Sequence, residues 1–159
     1  MEDSTIINKR IKREMDFLVR DNICDDTTIS IVKSDDTEFI IKFQDKKSGK
    51  IYHFITPNNY PFVPPKIHIN NKPLQFYHHF NNNEFRKSLI KHTGIDCFCC
   101  DSILCKDNWQ PNFTFKDILN DIYKFRDAVR VVVYNVIIEV IKRKYLKNEA
   151  NINIIEWLV

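Results

Sequence analysis

Four of the chain's five cysteines, Cys97, Cys99, Cys100 and Cys105, fall within nine residues, and this is where the sequence concentrates its chemistry. A thiolate acts either as a nucleophile or as a soft metal ligand. A disulfide framework fits poorly, because the total is odd and adjacent cysteines are awkward to bridge. Nucleophilic use needs one reachable sulfur in a setting that tolerates its charge, since a thiol buried among apolar groups is inert. Metal use needs four ligands. Cys97-x-x-Cys100 supplies one zinc-type pair, and Cys105 or a histidine among His78, His79 and His92 would have to supply the rest.

Two further segments frame the cluster. Upstream lies Tyr60-Pro61-Phe62-Val63-Pro64-Pro65-Lys66, which cannot be helical because each proline removes an amide donor and biases its predecessor toward extended backbone. Downstream lies Asp107-Asn108-Trp109-Gln110-Pro111, whose first two residues have the chemistry of a turn or cap. Tyr60, Phe62 and Trp109 read by default as packing aromatics.

The elements that must position these residues follow from periodicity. Ile7, Ile11, Met15 and Leu18 recur at helical spacing over Ser4–Val19, with Lys9, Arg10, Lys12 and Arg13 largely on the other faces, by default a solvated surface. Ile29–Lys33, Phe39–Phe43 and Ile51–Ile55 alternate as strands, with turns at Ser34-Asp35-Asp36 and Lys47-Ser48-Gly49. Connections this short require an antiparallel meander, completed by Lys66–Ile69 after the proline loop. Asn83–His92 reads as a helix, with Asn81 or Asn82 as cap and Gly94 as stop. Thr114 is placed to cap a helix carrying Ile118, Leu119, Ile122 and Phe125, and Ala128–Lys147 carries a long apolar-rich helical pattern. Residues Ile152–Val159 form an apolar tail.

This order is an α+β architecture. A chain of 159 residues with 43% hydrophobic and 13% aromatic content is expected to be one domain over 1–159, too apolar for disorder. No run reaches the roughly 18 apolar residues of a membrane span, and the N-terminus lacks a signal peptide's apolar stretch. The expectation is an intracellular protein, cytoplasmic or nuclear, with no membrane association. A net charge of +3, spread rather than blocked, gives nucleic-acid binding little support, so no nucleic-acid partner is expected.

In this order, the Tyr60–Lys66 loop, the run Cys100-Asp101-Ser102-Ile103-Leu104 and the Asp107–Pro111 segment resemble the YPFxPPK loop, the cysteine run and the DNWSP segment of ubiquitin-conjugating enzymes. Arg10-Ile11-Lys12-Arg13-Glu14 resembles the family's opening helix. The resemblance covers about residues 10 to 123 and does not extend to the family's final helices. It implies a UBC-like fold: an N-terminal helix, a four-stranded antiparallel meander, a cysteine-bearing loop and C-terminal helices. The implied activity is acyl transfer, in which ubiquitin or a ubiquitin-like protein is held as a cysteine thioester and passed to a substrate lysine, with no cofactor. The implied partners are a ubiquitin-activating enzyme and a ubiquitin ligase.

The C-x-x-I-L spacing selects Cys100 as the thioester cysteine. Gly94-Ile95-Asp96-Cys97-Phe98 is similar to the family's G-x-I-C-L and makes Cys97 the other candidate, whereas Cys99 fits neither register and is expected to point inward. Tyr77-His78-His79-Phe80-Asn81-Asn82 is similar to the family's Tyr-His-Pro-Asn-Ile-Asn without its proline. That register implies His78 as the structural histidine and Asn81 as donor to the oxyanion, a contribution of about 3 kcal/mol where such a donor is well placed. His92 offers a rival register. Arg10, Lys12 and Arg13, with Phe62, Trp109 and Pro111, are the implied partner-binding residues. Two other readings remain: a catalytically inactive UBC-like binding scaffold, and a domain whose cysteine cluster binds zinc.

Overall fold

The structure, a computed structural model, describes residues 9–33, 38–74 and 83–145. Their order is α1 (Lys9–Arg20), β1 (Ser30–Lys33), β2 (Glu38–Gln44), β3 (Ile51–Pro57), β4 (Lys66–Ile69), β5 (Lys72–Pro73), α2 (Asn83–Thr93), α3 (Phe98–Asp101) and α4 (Phe115–Tyr145). The fold is α+β, with one antiparallel sheet in sequence order β1-β2-β3-β4-β5. The sheet has five strands where four were expected. β5 is the added strand, two residues that pair through His68↔Pro73 and Ile69↔Lys72 after the left-handed Asn70 and Asn71 reverse the chain. The expected turn at 34–36, the Tyr77–Asn82 motif, the caps Asn81 and Asn82 and the tail 152–159 lie outside the described residues.

Among the described residues, contacts gather into two compact units, one drawn from Met1–His78 and Cys97–Tyr123, the other from His79–Asp96 and Lys124–Val159. In the first, the strand alternation read from sequence sets the layers. Ile41, Phe43, Tyr52, Phe54 and Ile67 point to one face and are buried against Ile11 and Leu18 of α1 and Phe115, Ile118, Leu119 and Ile122 of α4. Rings lock this core: Phe43 stacks on Tyr52 at 5.5 Å and Phe54 meets Phe115 edge-on at 5.0 Å. Between β2 and β3 the buried carboxylate of Asp45 accepts the backbone N–H groups of Lys47 and Ser48 and the Ser48 hydroxyl. Gly49 closes that turn at φ +66°, a conformation that favours glycine.

α4 begins on a reciprocal cap. The Thr114 hydroxyl and amide donate to Asp117 Oδ2 at 2.7 and 2.9 Å, while the Asp117 amide donates to Thr114 Oγ1 at 3.3 Å. The two helical patterns expected after Thr114 form one helix of 31 residues, because no glycine or proline interrupts Phe115–Tyr145.

In the second unit, α2 ends at Gly94, whose φ of +73° and N–H to the Ile90 carbonyl make it the C-terminal stop. Leu89, Ile95, Phe125, Ala128 and Val132 are its buried side chains. Arg86 donates through Nε and Nη2 to Asp96 Oδ1 at 3.0 and 2.7 Å. Farther along α4, Val133, Tyr134, Val136, Ile137 and Val140 are exposed.

Candidate active site

The cysteine segment is held by what is not cysteine. α3 is one turn, closed by the Asp101 N–H to the Cys97 carbonyl at 2.9 Å and the Ser102 N–H to the Phe98 carbonyl at 3.0 Å. Phe98 is 2% exposed and Ser102 fully buried, so these two anchor the turn and leave the residues between them outward. Cys100 is exposed, and Cys97 and Cys99 are half-buried. The Sγ atoms of Cys97 and Cys99 lie 2.8 Å apart, and those of Cys99 and Cys100 3.7 Å apart. The expectation that Cys99 points inward is therefore corrected: Phe98 occupies the inward position, and Cys99 joins its neighbours.

Two polar residues support this turn from behind. Asp121 of α4, buried, accepts the Ser102 hydroxyl at 2.6 Å and the Ile103 N–H at 3.2 Å, and Ser102 Oγ in turn accepts the Leu104 N–H at 3.0 Å. Asn108 donates its amide to the Cys100 carbonyl and, at 3.1 Å, to the Ser102 carbonyl. The next residue, Trp109, donates its indole N–H to the Pro61 carbonyl at 2.7 Å. Its ring lies 6.3 Å from that of Tyr60 and 5.8 Å from that of Phe113. Asn108 and Trp109 thus connect the cysteine turn to the proline loop in two steps.

That loop is fixed from below by Glu14, 1% exposed. Its carboxylate accepts the Tyr60 hydroxyl, within 2.9 Å of both oxygens, the Phe115 N–H at 2.8 Å, and Nε of Arg10. Burial first, and the Glu14 charge second, push the Tyr60 hydroxyl well above its ordinary range, so it stays a donor. Arg10 also reaches the Phe113 carbonyl at 3.1 Å. Reading Arg10 as part of a solvated face is corrected: the side chain turns inward and ties α1 to the start of α4. Lys12 and Arg13 are exposed.

The default reading of Phe62 as a packing residue is also corrected, since it is 75% exposed beside Val63 at 40%. Tyr60 and Pro65 are the loop residues that bury, and Pro111 is exposed. His78 and Asn81 lie outside the described residues.

The three thiols are electrostatically linked. Hydrogen bonds, the largest from Cys99, hold the Cys97 thiol below its ordinary value. Hydrogen bonds with Cys97 first and Cys99 second, and the charges of the same two groups after them, push the Cys100 thiol up to about 12. Among the described residues, the group able to share a metal ion is Cys97, Cys99 and Cys100, with all three sulfurs within 4.8 Å of one another. Cys99, set aside from sequence, is thus the sulfur that lies with Cys97 and Cys100, while His78 and His79 lie outside the described residues.

Sequence reasoning found Cys97, Cys100 and Trp109 and saw Asn108 only as a turn former. It missed Asp121 and Glu14 as supports. A buried acid inside an apolar helical stripe, as at Ile118-Leu119-x-Asp121-Ile122, was the available signal for the first.

Among the described residues no helix is long and apolar enough to cross a membrane. Comparison with protein-family models, with curated proteins and with solved structures finds no match.

Proposed function

We propose that the chain is a ubiquitin-conjugating enzyme of UBC-like fold that carries ubiquitin, or a ubiquitin-like protein, as a thioester on Cys100. The observation that carries this reading is an exposed cysteine on a hydrogen-bonded turn, its carbonyl accepting from Asn108 of the very Asp-Asn-Trp segment that the motif resemblance pairs with it. The order of elements, helix, antiparallel meander, proline loop and cysteine turn, supports it as well.

In the charging step the Cys100 sulfur attacks the thioester carbonyl held by an activating enzyme. A new sulfur–carbon bond forms, the activating enzyme's sulfur leaves, and the Cys100 proton ends on that leaving thiol. In the second step a substrate lysine amine attacks the same carbonyl, an amide forms and Cys100 leaves as a thiol. The chain's contribution is placement. Asn108 holds the Cys100 and Ser102 carbonyls and Asp121 the Ile103 N–H, so the backbone that carries the nucleophile is fixed from Cys100 onward. Asn81 is the oxyanion donor that the resemblance implies. Cys97, half-buried but with its thiol held below the ordinary value where that of Cys100 is raised, is the alternate acceptor, and exposure is what favours Cys100. The exposed Phe62, with Lys12, Arg13 and Pro111, supplies the surface for the ligase and the activating enzyme, where the basic residues raise the association rate.

The test incubates the protein with activating enzyme, ATP and ubiquitin, and resolves adducts with and without reductant. A reducible adduct is expected, lost in Cys100→Ser or turned there into a reductant-resistant ester, and retained in Cys97→Ser. The opposite pattern moves the nucleophile to Cys97. No adduct in the wild-type chain, across the available modifiers, overturns acyl carriage and leaves a non-catalytic binding scaffold.

A further inference from the structure

We infer that Cys97, Cys99 and Cys100 form a three-thiolate site for a zinc ion, and that a bound ion masks the thioester cysteine. The masking rests on the acyl-carrier reading, whereas the metal site stands on geometry alone. A zinc ion about 2.3 Å from each sulfur in tetrahedral geometry requires sulfurs about 3.8 Å apart. Cys99 and Cys100 stand 3.7 Å apart already, and all three sulfurs fit within 4.8 Å. Cys97 and Cys99, at 2.8 Å, stand closer than that and separate by about 1 Å on binding.

The backbone is built for it. Phe98 and Ser102 are sunk, Asp121 and Asn108 brace the turn, and the side chains left outside are the three sulfurs and the carboxylate of Asp101. The donor set selects soft or borderline cations and rejects hard ones such as magnesium. With three protein ligands, the fourth position stays open to water, as in zinc centres that exchange ligands. Binding displaces the thiol protons to solvent as the ion coordinates, and no electron changes hands. Cys100, exposed when free, then has its sulfur lone pair committed to the metal and is unavailable for acyl transfer.

Zinc affinity of the purified full chain is measured by competition with a chromophoric chelator, alongside Cys99→Ser, Cys100→Ser and Cys105→Ser, with thermal unfolding as the check on folding. About one ion per chain is expected, with affinity falling about tenfold or more in the first two variants and unchanged in Cys105→Ser. Cobalt substitution should give the ligand-field absorption of tetrahedral thiolate coordination, and magnesium should not compete. No stoichiometric zinc, or equal loss in Cys105→Ser, overturns the site.

Masking is read separately, after excess zinc is removed, by alkylation of Cys100 and by transfer from pre-charged activating enzyme. Both should stop and return on adding chelator. Undiminished transfer to the zinc-loaded chain overturns the masking. Zinc binding by a chain that never charges sinks the acyl-carrier reading and leaves the metal site standing. Charging without zinc binding does the reverse.

Discussion

Two polar clusters support the cysteine turn and the loop beside it, and they differ in what they hold. Around Glu14 a buried carboxylate gathers Tyr60, Arg10 and the Phe115 amide, so that one side chain joins α1, the proline loop and the start of α4. At the cysteine turn, Asp121 and Asn108 hold backbone and a hydroxyl, and the sulfurs on the outer side are left to each other. The first arrangement converts charge into stability of the scaffold. The second uses buried polarity to present reactive atoms. Stability and reactivity should therefore come apart under mutation.

Glu14→Leu gives the largest effect. It leaves the Tyr60 hydroxyl and the Phe115 N–H without their acceptor and Arg10 without its counter-charge, a loss of about 3–5 kcal/mol for breaking a buried ion pair on one side. Urea unfolding should show a lower midpoint at unchanged slope. The relative alkylation rates of Cys97, Cys99 and Cys100 in the folded state should be the same as in wild type. A changed order would show that the two clusters act as one and erase the contrast.

Asp121→Ala is smaller in stability and larger in chemistry. It orphans the Ser102 hydroxyl and the Ile103 N–H, a cost of about 2 kcal/mol for hydrogen bonds to a charged group. Because Ser102 closes α3, the turn loosens, and the three thiols should lose their distinct alkylation rates while charging slows about tenfold or more, as for a misplaced reacting group. Asp121→Asn, which keeps an acceptor, should restore most of both. Were Asp121→Ala to leave thiol reactivity untouched, the brace would be scaffold only.

How far the sequence reveals this depends on the range of the interaction. The outward face of α1, the β2–β3 turn at Gly49, the stop at Gly94 and the Thr114 cap all follow from residues within a few positions of one another, where periodicity and backbone preference act. Arg10 and Glu14 illustrate the limit. Their partners Phe113 and Phe115 lie about a hundred residues away, and nothing in the local pattern distinguishes Arg10 from the exposed Lys12 and Arg13. Likewise, spacing brought out Cys97 and Cys100, but Cys99 joins them because Phe98 takes the buried position, a packing outcome invisible to the motif. The single long α4 carries two sequence patterns because its buried residues belong to two different packing groups.

The smallest effect lies on the outer face of the sheet, away from both clusters, and serves as their control. Register places Lys42, His53 and His68 in one row across β2, β3 and β4. Partial burial first, then the charges of Lys42 and His68, hold the His53 imidazole below its ordinary 6.5. The unfolded chain therefore takes up a proton near pH 6.5 that the folded chain refuses. This group's contribution to stability is full above that pH and declines as pH falls toward its folded value. Melting temperature should decline gently over that window. Lys42→Thr, which removes a like charge beside His53, should flatten the decline without altering thiol reactivity or zinc affinity. A steeper decline in the variant would mean that another group dominates the titration, and the row would lose its standing as an independent region.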